Sequence, residues 1–313
     1  MNLLQSFFLP PAKSTVAADT DALFTFIHAV SLIFLIGIVA AMVWFVYRYR
    51  RRSEHDVTPV ITHNNALEVT WSVIPFILVM IVFAWGFRGY LDLRTPPADA
   101  YEVRAIGKKW LWEFHYENGY VSVGELHVPA GRPVKLVMNS VDVIHSFYVP
   151  DYRIKRDVLP GRYSSVWFEA PEAGESIVFC TEYCGTAHSD MMAKVVVKEP
   201  QEFQDWLSTA AAADANVPPV ELGGQLVQRN ACLTCHSQDG SELQGPTFKG
   251  IFGREQRMED GTVVTVDENY IRNSILRPQS QIVEGYLPVM PPYEGTLNDT
   301  QIDAIIEYLK TVD

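Results

Sequence analysis

The sequence predicts a multidomain chain that combines two membrane helices, a β-sandwich or barrel, and an all-α C-terminal domain. Three observations predict it: two long apolar segments near the N-terminus, a run of short valine- and aromatic-rich segments after residue 99, and helical spacing of apolar residues at the C-terminus. We expect an outer N-terminal tail over 1–20, a helical hairpin over 21–95, the β domain over 96–200, a linker over 201–219 and the all-α domain over 220–313.

The composition narrows the classes of function. The formal net charge is −12, which argues against nucleic-acid binding, since such binding usually needs a basic surface. The four cysteines form two close pairs, Cys180 with Cys184 and Cys232 with Cys235. Two disulfides are one reading of such pairs, but histidines nearby favour metal or cofactor chemistry.

Two apolar segments predict membrane helices. Residues 22–47 contain no charged side chain, and residues 71–87 are apolar with Pro75 near their start. About 20 such residues cross a bilayer core, although a buried helix of a soluble domain is the alternative for each. The arginine-rich sequence RYRRR at 48–52 marks the turn as cytoplasmic, which places both termini and the rest of the chain outside.

The middle of the chain has a β pattern. Short segments rich in valine and aromatic residues are separated by Gly or Pro turns, as in a β-sandwich or barrel. These segments are YEVRAIG, RPVKLVMNS, YSSVWFEA, ESIVFC and AKVVVK. His145 follows the second segment, Cys180 ends the fourth, and Gly185 permits a tight turn before His188.

The loop CTEYCGTAHSDM at 180–191 predicts a metal site. Cys180, Cys184 and His188, with His145 from upstream, would suit a tetrahedral zinc ion. Met191 favours copper instead, because thiolate, imidazole and weak thioether together suit that metal. Two thiolates could bridge two coppers, each with one histidine, while Met191 and a backbone carbonyl complete the pair. A hydrogen-bonded structural role is the alternative for His145.

This loop resembles the Cys-x-Glu-x-Cys-Gly-x-x-His-x-x-Met loop of cytochrome c oxidase subunit II, which carries the binuclear copper centre CuA. DVIHSFYVPDYRIKRDVLPGR, GKKWLWEFHY and NNALEVTWSVIP resemble the family's upstream histidine segment, its aromatic segment and the opening of its second membrane helix. The resemblance covers about residues 20–200 and implies a cupredoxin-like β-sandwich or barrel for the middle domain.

The resemblance implies a role for each residue of the site. Cys180 and Cys184 would bridge the coppers, and His145 and His188 would be the terminal ligands. Met191 would be the weak axial ligand.

Glu182 would give its backbone carbonyl to copper, and its carboxylate would help to bind magnesium at the interface with the catalytic subunit. A solvated loop glutamate is the alternative.

Two further residues match functional positions of the family. Trp110 matches the family's electron-entry tryptophan. A tryptophan that only packs in the core is the alternative. Glu68 matches a carboxylate at the mouth of a proton pathway, although at a helix start it could equally serve the helix dipole. The family's segment often reads Gly-His-Gln-Trp-x-Trp, whereas this chain has Lys108 and Lys109 directly before Trp110, which puts the family's docking surface for a soluble cytochrome in doubt.

The C-terminal domain carries a haem signature. In CLTCH at 232–236, Cys232 and Cys235 would bond covalently to haem c and His236 would bind its iron. A thioredoxin-like thiol pair is the alternative. GPTFKGIFGR resembles the Gly-Pro loop of small class I cytochromes c, and the last segment would be the closing helix of that all-α fold, with Asn298 or Asp299 as its cap.

The sixth iron ligand is expected to be a methionine. Met290 lies in the Pro-rich segment GYLPVMPPY and matches the family's position. Met258 is the competitor, but its polar surroundings predict that it is exposed. Methionine and histidine together raise the haem potential, as a high-potential carrier requires.

Together these features predict the electron-entry subunit of a bacterial haem–copper oxygen reductase in the inner membrane, with copper and haem domains outside. Electrons would pass from haem c to CuA and then to a catalytic subunit that reduces oxygen and pumps protons. His28, His55 and His63 are too scattered to form an oxygen-reducing site here.

The implied partners are subunit I, other oxidase subunits, membrane lipid and a donor such as a cytochrome, a high-potential iron–sulfur protein or a quinol-oxidising complex. Two other functions stay open at this point. One is a membrane-anchored carrier or copper-handling protein that works without a catalytic core. The other is a subunit of a nitrogen-oxide reductase.

Overall fold

The computed structural model describes residues 9–57, 60–210, 214 and 217–313. The first eight residues of the predicted tail lie outside the described residues. So do residues 211–213 and 215–216 of the predicted linker.

Two long helices open the fold. α1 spans Ala17–Tyr49 and α2 spans Asn65–Arg94, with mean hydropathies of 2.7 and 2.2 over their most apolar windows. At about 1.5 Å rise per residue both exceed the roughly 30 Å of a bilayer core, so their ends extend beyond it. The rings of Phe26 and Trp85 lie 5.8 Å apart where the helices meet. Both helices are thus long and apolar enough to cross a membrane, as the sequence predicts.

The middle of the chain folds into two five-stranded sheets with the orders β3-β2-β1-β5-β8 and β4-β10-β9-β6-β7. The strands are β1 Tyr101–Lys108, β2 Leu111–His115, β3 Val121–Val123, β4 Glu125–Pro129, β5 Val134–Ser140, β6 His145–Val149, β7 Ile154–Val158, β8 Ser164–Phe168, β9 Gly174–Cys180 and β10 Met192–Lys198. Their inner faces pack Trp112, Phe114, Leu136 and Phe147, each fully buried, between the sheets. The predicted β-sandwich is confirmed.

The sequence pattern marked half of these strands. β5 alternates buried and half-buried residues from Val134 to Ser140, because one face of its sheet lies on the core. β1, β8, β9 and β10 also coincide with predicted segments. β2, β3, β4, β6 and β7 are three to five residues long, too short for a period of two to stand out.

The C-terminal region is helical apart from one small hairpin. Its helices are α3 Pro200–Ala210, α4 Pro219–Arg229, α5 Glu268–Leu276 and α6 Asp299–Leu309, and its hairpin pairs β11 Glu255–Arg257 with β12 Val263–Thr265. α4 and α6 cross closely at Gly223, where an added Cβ would lie 2.0 Å from the Ala304 carbonyl oxygen. Asn298 caps α6 in a capping box with Gln301, as one of the two predicted caps.

Polar contacts join the membrane helices to the β-sandwich. Arg153 donates from Nε and Nη2 to the two carboxylate oxygens of Asp21 in α1, at 2.8 and 2.9 Å. Trp167 in β8 donates to the Asp92 carbonyl near the end of α2 at 3.0 Å. Both helices are therefore anchored on the same side of the sandwich.

Candidate functional site

The register of two strands brings the first copper-ligand candidates together. Phe147 of β6 lies opposite Cys180 of β9 in an antiparallel pair. His145 stands two residues before Phe147 and so shares its face of the sheet with Cys180. Two residues 35 positions apart in the chain therefore become diagonal neighbours at one end of the sandwich.

The donor atoms of the two cysteines and the two histidines lie close together. The sulfurs of Cys180 and Cys184 lie 3.8 Å apart, and the donor atoms of both cysteines and His145 lie within 4.8 Å of one another. His145 Nδ1 is 3.9 Å from the Cys180 sulfur, whereas His188 Nδ1 is 3.4 Å from the Cys184 sulfur. The cluster thus has two halves, each with one thiol and one imidazole.

The loop after β9 supplies the remaining donors. Gly185 adopts φ +124°, which turns the chain back, and His188 opens a short 3-10 turn through Asp190. Met191 is fully buried, with its sulfur 3.7 Å from the Cys184 sulfur. The Glu182 carbonyl oxygen lies 3.3 Å from the Cys180 sulfur. The structure therefore brings together all six residues that the sequence predicts at this site.

The chemistry of the donor set decides which metal fits. Six donors stand in two halves around a pair of sulfurs, which is more than one closed tetrahedral zinc ion uses. Soft sulfur and imidazole donors with a weak thioether suit copper. The residues present therefore fit a pair of copper ions better than one zinc ion.

A carboxylate behind the site orients one ligand. His145 Nε2 donates to Asp142 Oδ1 at 2.8 Å, which leaves Nδ1 directed at Cys180. Burial works against charge on His145, but the interactions with Asp142 and Cys180 together outweigh it and raise the pKa of His145. Asp142 Oδ2 also accepts the Lys109 backbone N–H at 2.7 Å. Asp142 therefore fixes the ring of a ligand from outside the site.

The two thiols differ in acidity. The hydrogen bond with Cys184 lowers the pKa of Cys180 to about 3, against the effect of burial. The same hydrogen bond raises the pKa of Cys184, and burial of the thiol raises it further. The contact between the two sulfurs thus favours a thiolate on one of them, and the thiolate is the form that binds metal.

Trp110 contacts the copper-ligand loop directly. Its indole Nε1 donates to the Cys184 carbonyl at 3.2 Å, and its ring lies where a Cβ on Gly185 would meet it at 2.9 Å. Trp110 is buried and also lines a large cleft of the C-terminal region. One side chain therefore touches both candidate redox sites.

The haem-ligand candidates line that cleft. Cys232 begins a short 3-10 turn, and Cys235 and His236 follow it along the cleft wall. His236 Nδ1 donates to the Pro246 carbonyl at 2.6 Å, while its ring stacks on Phe248 with centroids 4.5 Å apart. Nε2 is then the nitrogen left for an iron ion, and burial lowers the pKa of His236, which favours the neutral ligand form.

Met290 lies on the same cleft and Met258 does not. Gln279 holds the methionine segment by donating to the carbonyls of Pro288 and Met290, at 3.0 and 3.3 Å. Met258 is 3 % exposed, so the expectation that it lies at the surface was wrong. Its backbone pairs with Val283 in an isolated bridge, and although Val283 lines the cleft, Met258 does not.

The cleft fits a flat, mostly apolar cofactor. It encloses about 1370 Å³ including its open mouth and is lined chiefly by apolar side chains. A Cβ on Gly245 would lie 2.6 Å from His236 Cε1, so only glycine lets the chain pass the ring. The buried Ser274 hydroxyl on this wall has no hydrogen-bond partner within the described part of the chain, as expected where a bound group supplies one. The residues present therefore fit a covalent haem.

Two other predicted residues lie apart from these centres. The Glu68 side chain accepts the Asn64 backbone N–H at 3.3 Å in the first turn of α2, so it serves the start of that helix. The Glu182 side chain is exposed on the outside of the loop. Glu68 thus contributes to the start of its helix, and Glu182 is a solvated loop residue. The proton-pathway role of Glu68 and the magnesium role of Glu182 stay predictions.

Sequence reasoning missed Asp142 and Glu113. Asp142 stands three residues before His145, and a carboxylate beside a histidine ligand is a signal that could have revealed it. Glu113 is 1 % exposed and forms a 2.6 Å ion pair with Lys108. The order Lys-Lys-Trp-Leu-Trp-Glu gives no local sign that these two charges become buried.

Three family models match successive parts of the chain. Residues 3–88 match the transmembrane domain of cytochrome c oxidase subunit II, and residues 121–199 match its periplasmic domain. Residues 220–313 match cytochrome c. The first two families imply a copper-binding subunit, and the third implies haem.

Relatives along most of the chain carry the same description. Cytochrome c oxidase subunit 2 of Alkalihalophilus pseudofirmus is 32 % identical over 292 residues, covering 89 % of this chain and 83 % of the relative. The Synechocystis protein of that name is 28 % identical, covering 72 % and 81 %. A solved periplasmic domain of subunit II of cytochrome oxidase from Bradyrhizobium japonicum is 28 % identical, covers 38 % of this chain and 99 % of that one, and has a TM-score of 0.37.

The three family models correspond to three parts of the structure. These are the membrane hairpin, the β-sandwich with its sulfur and imidazole cluster, and the helical region with the cleft behind CLTCH. The chain therefore belongs to the cytochrome c oxidase subunit II family, whose members are subunits of haem–copper terminal oxidases, and it carries a cytochrome c domain at its C-terminus.

Proposed function

We propose that this chain conducts electrons from an external donor to the oxygen-reducing subunit of a bacterial haem–copper oxidase, which also pumps protons. The observation that supports it best is the position of Trp110. Its ring lines the haem cleft, and its indole N–H donates to the carbonyl of Cys184 at 3.2 Å. The two candidate redox sites are thus joined by one side chain.

When bound, haem c and the copper pair supply one-electron redox chemistry at these sites. The proposed haem ligands are Cys232, Cys235, His236 and Met290. The proposed copper ligands are His145, Cys180, the Glu182 carbonyl, Cys184, His188 and Met191.

The protein around these ligands does the holding and orienting. Asp142 accepts a hydrogen bond from Nε2 of His145, and the Pro246 carbonyl accepts one from Nδ1 of His236. Each imidazole ring is thereby held in one orientation. The buried sulfurs of the copper loop are shielded from water, and the sheet fixes their spacing. A rigid donor set limits ligand movement when the charge on a metal changes, which favours fast electron transfer.

The membrane arrangement follows from the helices. We propose that α1 and α2 cross the bacterial inner membrane with the arginine-rich turn at 48–52 in the cytoplasm and both redox domains outside. Glu68 then lies at the cytoplasmic start of α2, where it would form the mouth of a proton pathway with the catalytic subunit. We propose the domain limits 1–20, 21–95, 96–200, 201–219 and 220–313 for this chain.

Glu182 is the proposed contact with the catalytic subunit. Its carbonyl points at the copper site while its carboxylate is exposed, so one residue can face two subunits. We propose that the carboxylate contributes to a magnesium site between subunits, with the remaining ligands from subunit I. The donor that reduces the haem would be a cytochrome, a high-potential iron–sulfur protein or a quinol-oxidising complex.

The test uses the intact complex purified in mild detergent. We expect the chain to copurify with subunit I, with two coppers and one covalent haem c per chain, and a mixed-valence copper signal in electron paramagnetic resonance. Isolation of the chain without an oxygen-reducing subunit would favour a free carrier. One zinc in place of two coppers would overturn the copper assignment.

A matched pair of variants tests the ligands. Cys184→Ser removes a bridging sulfur, and we expect it to lose copper and oxygen consumption while keeping haem c. Ser189→Ala changes an exposed residue of the same loop and should keep both. Full oxygen consumption by the Cys184→Ser complex would contradict the proposed route.

A further inference from the structure

We infer that Lys108 and Glu113 are positioning residues that fix the cytochrome region against the copper domain by binding the segment after Met290. The inference rests on the proposed electron route and adds the contacts that set its geometry. We call these contacts the junction network: Lys108, Glu113, His115, Thr296 and the Pro292 carbonyl.

Lys108 is the centre of the junction network. Its ammonium donates to Glu113 Oε1 at 2.6 Å, to the Pro292 carbonyl at 3.2 Å and to Thr296 Oγ1 at 3.3 Å. A lysine has three N–H donors, and each has one acceptor here. Two of the three acceptors belong to the cytochrome region.

Glu113 is equally well bound. Its Oε1 accepts Lys108 and also the Thr296 hydroxyl at 2.8 Å, while its Oε2 lies 3.2 Å from His115 Nε2. Thr296 thus contacts both charged residues. A threonine of the cytochrome region completes an ion pair of the copper domain.

The burial of Lys108 and Glu113 makes their hydrogen bonds with the cytochrome region important. Lys108 is 5 % exposed and Glu113 is 1 % exposed. Buried charges are costly unless paired and fully hydrogen-bonded. Moving the cytochrome region away would remove two of the three acceptors from Lys108, so the network favours one docked arrangement. Apolar contacts alone, such as Leu111 and Val123 against the cytochrome core, are less directional.

The network stands between the two redox sites. Pro292 follows Met290 by two residues, and Tyr293 donates to the Asn230 carbonyl at 2.8 Å, just before CLTCH. On the other side, Lys108 precedes Lys109, whose backbone holds Asp142, and Trp110, which contacts Cys184. A shift of the methionine segment relative to Lys108 therefore changes the spacing between the haem cleft and Trp110.

The competing explanation is that the ion pair only stabilises the β1–β2 hairpin. Lys108 pairs with Leu111 in that hairpin, and Glu113 lies in the same short strand β2. A hairpin role predicts lower stability of the copper domain with an unchanged electron-transfer rate. A positioning role predicts a slower haem-to-copper step with normal metal sites.

The experiment measures that step in the intact oxidase by rapid mixing with a reduced donor. The variant Lys108→Met/Glu113→Leu replaces both buried charges by apolar side chains, which avoids leaving one charge unpaired. We expect normal haem c and copper spectra, a normal rate of haem reduction, and a haem-to-copper rate about tenfold lower, because a misplacement near 1 Å has effects of this size or larger.

The matched control is Glu102→Leu/Lys135→Met. This ion pair joins β1 to β5 at 2.8 Å, but its side chains are half-exposed, and within the described residues they form no hydrogen bond to the cytochrome region. We expect its haem-to-copper rate to equal that of the parent. An equal rate for both double variants would overturn the inference.

A second variant covers the case in which the double variant fails to fold. Thr296→Val keeps the shape of the side chain and removes only its hydroxyl, so no residue of the copper domain is changed. We expect a haem-to-copper rate about threefold lower, a smaller effect than in the double variant, because the two hydrogen bonds of the hydroxyl are lost while the ion pair remains. A rate equal to that of the parent would contradict the positioning role.

Failure of the proposed function would look different. A parent protein that lacks the copper signal, or that shows no transfer from haem to copper, would refute the electron route itself. A parent with both signals and variants without a rate change would refute only the junction network.

Discussion

The copper and haem regions differ in how each would hold its cofactor. In the copper region the sulfurs of Cys180 and Cys184 lie 3.8 Å apart, one at the end of β9 and one on the loop that follows it. In the haem region the predicted attachment and ligand residues line a large, mostly apolar cleft among helices and loops. A sheet end can hold ligands in place by itself, whereas the helical region needs its cofactor as part of its core.

Removal of the haem attachment tests this difference most strongly. We expect Cys232→Ser/Cys235→Ser to destabilise residues 220–313 by on the order of 5 kcal/mol, because the apolar cleft then faces water. Copper content and the thermal transition of the β-sandwich should stay unchanged. Calorimetry and copper analysis of the full chain measure both, and equal destabilisation of the two regions would break the comparison.

The haem region does have one preformed element, the crossing of α4 and α6. Gly223→Ala should destabilise this region by about 3 kcal/mol, because its Cβ would lie 2.0 Å from the Ala304 carbonyl oxygen in a packed interface. Gly224→Ala is the matched control, since its Cβ would meet only the Tyr308 ring, at 3.1 Å. Equal thermal stability of the two variants would show that the crossing is not fixed.

Asp142 tests whether the copper site depends on its support. We expect Asp142→Asn to lower copper affinity about 10- to 100-fold, since His145 loses a carboxylate partner. Chelator titration of the full chain measures the change, and the haem spectrum serves as the internal control. Unchanged affinity would mean that the sheet alone orients His145.

The smallest expected effect is a weakening of the contact between the two domains at low pH. Burial raises the pKa of Glu113, but hydrogen bonds from His115, Lys108 and Thr296 outweigh it, so the pKa lies below the ordinary 4.5. A lowered pKa means that the stabilisation is present above 4.5 and is lost as the pH falls through the folded-state value. We therefore expect contact between the two domains to weaken in acid.

Hydrogen exchange of residues 291–296 between about pH 6 and pH 3 would follow this loss, after correction for the intrinsic rate. Glu113→Gln should remove the acid dependence. Glu102→Gln, an exposed change in β1, should retain it. An acid dependence that persists in Glu113→Gln would assign it to another group.

Much of the site could be predicted because its residues are adjacent in the chain. The loop at 180–191 carries five of the six predicted copper-site residues, and CLTCH carries three of the four residues predicted to attach or ligate haem. The membrane helices were equally clear, because about 20 consecutive apolar residues indicate a membrane span. The helix α6 was clear from the helical spacing of its apolar residues. The short strands β2, β3 and β4 gave no such pattern.

Supporting residues could not be predicted in the same way. Asp142 looks like any loop aspartate until β6 and β9 pair and bring His145 beside Cys180. Met258 looked exposed because its neighbours in the sequence are polar, yet its side chain is buried in the folded chain. Burial of a single residue depends on what packs above it, which neighbours in sequence do not show.

The sequence by itself determined the types of ligand, their grouping and the presence of two membrane helices, because these depend on residue chemistry and on periods within one segment. Only the tertiary structure decided how the two redox sites meet. Lys108 and Thr296 are 188 positions apart, and their contact exists because the cytochrome region packs on the β1–β2 hairpin. The placement of Trp110 between the haem cleft and Cys184 follows from that same packing.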